Sequence, residues 1–78
     1  MSKERQPESS AGLKALTPRE REVLLLVVAG RTSKEIARLA GVQPSTVDTY
    51  RSRIMAKLDV EDLPSLVRFA VRHGLIKP

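Results

Sequence analysis

The chain of 78 residues contains no cysteine and no tryptophan, and it has one histidine, one phenylalanine and one tyrosine. Without cysteine there is no disulfide framework and no thiolate metal site. With a single histidine besides, the nitrogen and sulfur ligands of an ordinary transition-metal centre are missing. Long apolar runs are missing too. The longest, residues 23–29, falls far short of the roughly 20 residues a membrane helix needs. The polar start, residues 1–12, has no apolar stretch of the kind a secretory signal carries. No glycine loop cradles a phosphate, and Ser45 and Ser52 lack the histidine base or oxyanion donors that would make them nucleophiles. His73 stands alone near a helix end, where its charge suits the helix dipole. The chain is therefore read as one small domain, not an enzyme, with no metal, no cofactor, no small-molecule ligand and no membrane partner. Without disulfides, a domain this small relies on efficient helix packing or on a partner chain.

What is present is positive charge. Lys and Arg number 14 against 9 Asp and Glu, a net charge of +5, and that balance suits a polyanion. Hydrophobic residues make up 41% of the chain, enough for a compact core. Residues 1–14 are almost devoid of apolar side chains and read as a flexible tail or the remnant of a linker. The folded domain is expected over residues 15–78.

Four helices are predicted, near residues 18–29, 33–40, 44–58 and 63–73, giving an all-α fold. Thr17-Pro18-Arg19-Glu20 is a capping box with proline at the first helical position, and Leu16 before it staples only loosely onto Glu22 or Val23. By periodicity alone residues 23–29 also suit a buried strand; the capping box and the stop at Gly30 favour helix. Thr32-Ser33-Lys34-Glu35 is a second capping box, and its helix ends at Gly41. Pro44 opens the third helix behind Gln43, a poor cap that predicts a weak first turn. Asp62 caps the fourth helix, which Gly74 closes, and Leu75 and Ile76 are expected to fold back onto the core.

Ala37, Gly41 four residues on and Val47 six beyond that have helix-turn-helix spacing. Ala37 is small where two helices cross closely. Gly41 permits a positive φ in a short turn. Ile36, Val42, Val47 and Ile54 pin the second helix of the pair against the first.

On the wheel of the third helix, Arg51, Ile54 and Leu58 fall within about 40° of Val47. The opposite face carries Ser45, Thr49, Ser52 and Ala56, flanked by Asp48 and Arg53. Short side chains let a helix backbone sink into a major groove about 12 Å wide. Arg53 suits a guanine edge or a phosphate, the Thr49 methyl suits thymine, and Asp48 can accept from cytosine. Asp48 is equally well placed to pair within the helix with Arg51 or Arg53. Arg31, Ser33, Lys34, Thr46, Arg51 and Lys57 ring the face and suit phosphates.

The residues Leu16-Thr17-Pro18-Arg19-Glu20-Arg21-Glu22-Val23-Leu24, then Gly30, Lys34-Glu35-Ile36-Ala37, Thr46-Val47 and Lys57-Leu58 resemble the LuxR-type DNA-binding domain. That domain occurs in NarL/FixJ-like response regulators and quorum-sensing regulators and, alone, in GerE-like proteins. The resemblance runs from Leu16 to Ile76. It implies a four-helix domain whose third helix reads double-stranded DNA and whose fourth helix forms a dimer interface. The family's base contacts fall here on Asp48, Thr49 and Ser52, and its usual phosphate contacts on Lys34, Thr46 and Lys57. Leu63, Leu66, Val67, Ala70 and Val71 supply the apolar surface for a homodimer on DNA. The resemblance further implies a bacterial transcriptional regulator, the output domain of a response regulator in a two-component system. Such a regulator is cytoplasmic and nucleoid-associated, with RNA polymerase as a further partner. Three departures stand out: Asp48 where the family often has lysine, Tyr50 where it commonly has histidine, and Leu25 at a position that is often polar. Asp48 and the modest net charge also keep an alternative open, a helix-turn-helix adaptor that binds another protein.

Overall fold

The computed structural model describes residues 10–76. Five helices follow one another: α1 (Ser10–Lys14), α2 (Pro18–Val28), α3 (Ser33–Ala40), α4 (Pro44–Leu58) and α5 (Leu63–Arg72). No strand occurs among the described residues. The four predicted helices are present, with α2 and α5 each closing one residue earlier than expected, at caps Ala29 and His73.

The fifth, α1, corrects the sequence reading, which gave residues 10–14 to a tail. Its composition carries no helix signal strong enough to stand alone; contact with the rest of the domain forms it. Gly12 lies so close to the end of α4 that a Cβ there would sit 2.5 Å from the Lys57 carbonyl oxygen. Leu13 packs against the core. Residues 1–9 of the expected tail lie outside the described residues.

Local chemistry accounts for the starts of the four longer helices. Both capping boxes form: Thr17 Oγ1 accepts from the Glu20 amide and Glu20 Oε1 accepts from the Thr17 amide. Thr32 and Glu35 repeat the exchange. Asp62 accepts from the Ser65 amide at 2.8 Å. Gln43 makes no side-chain cap, as its residue type predicts. Prolines at the first or second helical position open α2, α4 and α5, where a missing N–H costs nothing.

The four longer helices end alike. A residue with positive φ follows each, namely Gly30, Gly41, Asp59 and Gly74. The next amide then reaches back five residues, as in Val42 to the Ala37 carbonyl and Val60 to the Met55 carbonyl. Asp59 is the non-glycine case among the described residues. Left-handed geometry disfavours most side chains but is tolerated by Asp, so no glycine marks this helix end.

The core lies between α2, α3, α4 and α5. Val23 and Leu24 of α2, Ile36 of α3, Val47, Ile54 and Leu58 of α4, and Leu66 and Phe69 of α5 are all essentially sealed from solvent. Burying each contributes about 1.5–3 kcal/mol against the entropy of ordering the chain. Leu16 is also buried in this cluster, a firmer anchor than the loose staple expected. Leu75 and Ile76 fold back onto it. His73 stacks on Phe69 with ring centroids 4.2 Å apart.

Candidate nucleic-acid interface

The helix-turn-helix consists of α3, the turn over residues 41–43, and α4. Gly41 takes φ +72°, which lets the chain reverse within that turn. Ala37 and Ile36 on one side, and Val47 and Ile54 on the other, belong to one cluster. That burial fixes the rotation of α4 about its own axis. Ser45, Asp48, Thr49, Ser52, Arg53 and Ala56 consequently face solvent, with Thr46 half-buried at the edge. The expected stripe of short side chains opposite the core is present. Thr49 Oγ1 donates to the Ser45 carbonyl at 3.3 Å.

The cations around this stripe fall into two groups. Lys34 and Arg53 are exposed and make no side-chain hydrogen bond or ion pair among the described residues. Arg31 is exposed and lies near enough to Glu35 to act on its carboxyl. Arg51 and Lys57 are engaged. Arg51 Nη2 donates to Asp48 Oδ1 at 2.7 Å and to Ser33 Oγ at 3.2 Å. Lys57 Nζ donates to Glu20 Oε1 at 2.7 Å and to the Ala15 carbonyl at 3.2 Å.

The Lys57–Glu20 contact is one that sequence reasoning missed. Glu20 is 3% exposed, and a buried carboxylate needs a partner. The Lys57 hydrogen bond and then the Thr17 amide hold its carboxyl below the usual glutamate range, against the opposing effect of burial. A signal existed: Glu20 precedes Val23 and Leu24 by three and four residues, on the buried face of α2. Nothing local announced that the partner would be Lys57, since the two are 37 residues apart. Two other carboxyls lie below their usual range through backbone amides at helix starts, Glu35 through Thr32 and Asp62 through Ser65.

On α5 the structure divides the expected dimer surface. Leu66 and Ala70 are in the protomer's own core, at 1% and 0% exposure, and are withdrawn from that surface. Helical spacing alone did not settle which half of an almost wholly apolar helix faces inward. Leu63 is exposed and Val67 and Val71 are half-buried, so these lie on the outer side.

The site is thus a capped helix-turn-helix in a small helical domain, its second helix presenting short polar side chains beside exposed Lys34 and Arg53. The chain belongs to the luxR family of bacterial regulatory proteins: residues 14–70 match the family described as "GerE: Bacterial regulatory proteins, luxR family". That family comprises DNA-binding regulators rather than enzymes. Over 65 residues the chain is 43% identical to the transcriptional regulatory protein MctR of Rhizobium johnstonii, covering 83% of this chain and 30% of MctR. Over 62 residues it is 42% identical to the response regulator protein VraR of Staphylococcus aureus, covering 80% of this chain and 30% of VraR. Among solved structures, full-length FixJ from B. japonicum superimposes with a TM-score of 0.80 at 38% identity, covering 87% of this chain and 34% of FixJ. VqmA bound to DPO gives 0.74 at 32% identity, covering 81% of this chain and 32% of VqmA. The chain thus spans about a third of the length of these relatives. The part it shares with them is the luxR-family DNA-binding domain.

Proposed function

We propose that α4 enters the major groove with Ser45, Thr49, Ser52 and Ala56 leading, and that Thr49, Ser52 and Arg53 read bases. The observation that carries this reading is the exposed stripe of short side chains directly behind the sealed residues Val47, Ile54 and Leu58. With the Thr49 hydroxyl bonded to its own helix, the methyl is the group left to meet a thymine. Arg31, Ser33, Lys34, Thr46 and Arg51 contact phosphates on either side. Lys57 leaves that set, because its ammonium is held by Glu20 and the Ala15 carbonyl.

The domain binds as a homodimer, one α4 per major groove. Leu63, Val67 and Val71, four residues apart along α5, supply the apolar contact. In the whole regulator it serves as the output domain of a response regulator, as the likeness to VraR and FixJ supports, with RNA polymerase as the protein partner that regulation of transcription entails. No helix among the described residues is long and apolar enough to cross a membrane, and a bacterial DNA-binding regulator acts in the cytoplasm at the nucleoid. Selection of bound sequences from a random DNA pool tests the reading. A two-fold or direct-repeat motif is expected, with affinity falling by orders of magnitude from about 50 to 200 mM salt. No selected motif and a flat salt response would favour the protein-binding adaptor instead.

A further inference from the structure

Asp48 is the one acid on α4, and an acid beside a duplex repels its phosphates. Its surroundings give it a task other than base contact. Asp48 Oδ1 accepts from Arg51 Nη2 at 2.7 Å, and the same nitrogen donates to Ser33 Oγ across the gap to α3 at 3.2 Å. The guanidinium is thus tied to both helices of the helix-turn-helix. Arg51 departs from the inward side of α4, one turn after Val47, and its side chain is 34% exposed. It reaches the surface by running outward between the two helices. A guanidinium has five N–H donors. Those on Nη2 are taken, while those on Nη1 and Nε have no partner among the described residues. A free arginine would lose much rotamer entropy on meeting a ligand, and one already held loses less.

We propose that Asp48 is a positioning residue: it holds Arg51 against Ser33 as a preset clamp for a DNA backbone phosphate, and it does not read a base. This rests on the reading of α4 as the DNA-binding helix. Three roles for Asp48 differ in what its removal does. A mere solvated acid only repels phosphate, so its loss tightens binding to every duplex. A base reader's loss changes the preferred base at one position. A positioning residue's loss frees Arg51 and weakens binding to all sequences alike, although the net charge has become more favourable.

The experiment compares the full 78-residue chain with Asp48→Asn, Asp48→Glu, Arg51→Gln and the Asp48→Asn/Arg51→Gln double variant. Binding to the selected DNA site is measured from about 50 to 200 mM salt. Asp48→Asn is expected to weaken binding roughly fivefold, the upper size of one well-formed exposed pair. The preferred sequence should stay the same, and the salt slope should fall by about one. Asp48→Glu should recover most of the loss. On the Arg51→Gln background, Asp48→Asn should reverse sign and tighten binding, because repulsion is then all that remains. Tighter binding by Asp48→Asn in the wild-type background, or a changed preferred base, would overturn the proposal. Failure of the wild-type chain to bind any duplex is a separate result, seen before any variant is made, and would overturn the DNA reading together with this one.

Discussion

Among the described residues two ion pairs involve helix α4, and both close to 2.7 Å. Near its first half, Arg51 meets Asp48, whose side chain is 66% exposed. At its end, Lys57 meets Glu20, whose side chain is 4% exposed. Equal distances hide unequal consequences. Water screens the first pair, and an exposed pair contributes at most about 1 kcal/mol to stability. The second carboxylate sits on the buried face of α2 with little water to fall back on, so the loss of its cation leaves it stranded. The first pair can therefore serve recognition at little structural cost. The second joins α2, α4 and the turn after α1 and is a structural clasp.

The sharpest way to break this contrast is Lys57→Met, which keeps the apolar stem and removes the charge. It is expected to destabilise the domain by roughly 2 kcal/mol, below the range for a fully buried pair because the ammonium is partly solvated. In a chain of this size that lowers Tm by on the order of 10 °C. Arg51→Met should cost no more than about 0.5 kcal/mol. Equal melting temperatures for the two variants would show that burial of Glu20 does not separate the pairs.

Titration sharpens the same contrast. The Glu20 carboxyl lies below its ordinary value of 4.5 in the folded chain. Its contribution to stability is therefore complete above that value and is lost as pH falls through the lower folded-state value, where the native carboxylate finally takes a proton. Glu35 and Asp62, lowered by helix-start amides, lose their contributions in the same direction. Lys57→Met should flatten the acid limb of a stability profile below pH 4.5, because the largest cause of the Glu20 shift is gone. An acid limb of the same steepness in Lys57→Met would mean that the Thr17 amide, and not Lys57, keeps Glu20 ionised.

A smaller effect is expected at the other contact on the end of α4. Gly12→Ala would place a methyl against the Lys57 carbonyl, and such overpacking costs of order 1 kcal/mol. The loss should appear as faster amide exchange over residues 12–16, with α2 to α5 keeping their protection. Loss of protection throughout would show that α1 is integral to the core.

These contacts mark where the sequence was legible. The two capping boxes, the glycine stops and the wheel of α4 are local patterns, repeating within one or two turns, and each specifies its own stretch of chain. They placed four helices and the solvent-facing stripe. Glu20 with Lys57, and Gly12 against Leu58, are pairings between residues far apart in the chain, which no local period encodes. Asp59 fell between the two cases. It performs a glycine's conformational role with a residue type that more often signals a helix start. On α5, apolar residues lie on both sides, so the pattern marked a helix without saying that Leu66 and Ala70 face inward.

The finest test of the contrast is in the salt dependence of DNA binding, where differences are near one unit of slope. Each phosphate contact that releases a counterion adds about 0.9 to the slope of log affinity against log salt. Lys34 is exposed and unpaired among the described residues, so Lys34→Ala should lower the slope by about one and weaken binding to all sequences alike. Lys57 already has its counter-charge in Glu20. Once corrected for the folded fraction, Lys57→Met should bind with an unchanged slope, since the ammonium it removes had no phosphate to neutralise. A drop of about one in Lys57→Met would show that the clasp opens on the duplex and that Lys57 exchanges Glu20 for a phosphate. Of the two pairs on α4, the Lys57–Glu20 pair alone would then give up its partner to DNA while Asp48 keeps hold of Arg51, and the closed clasp on Glu20 would belong to the free domain.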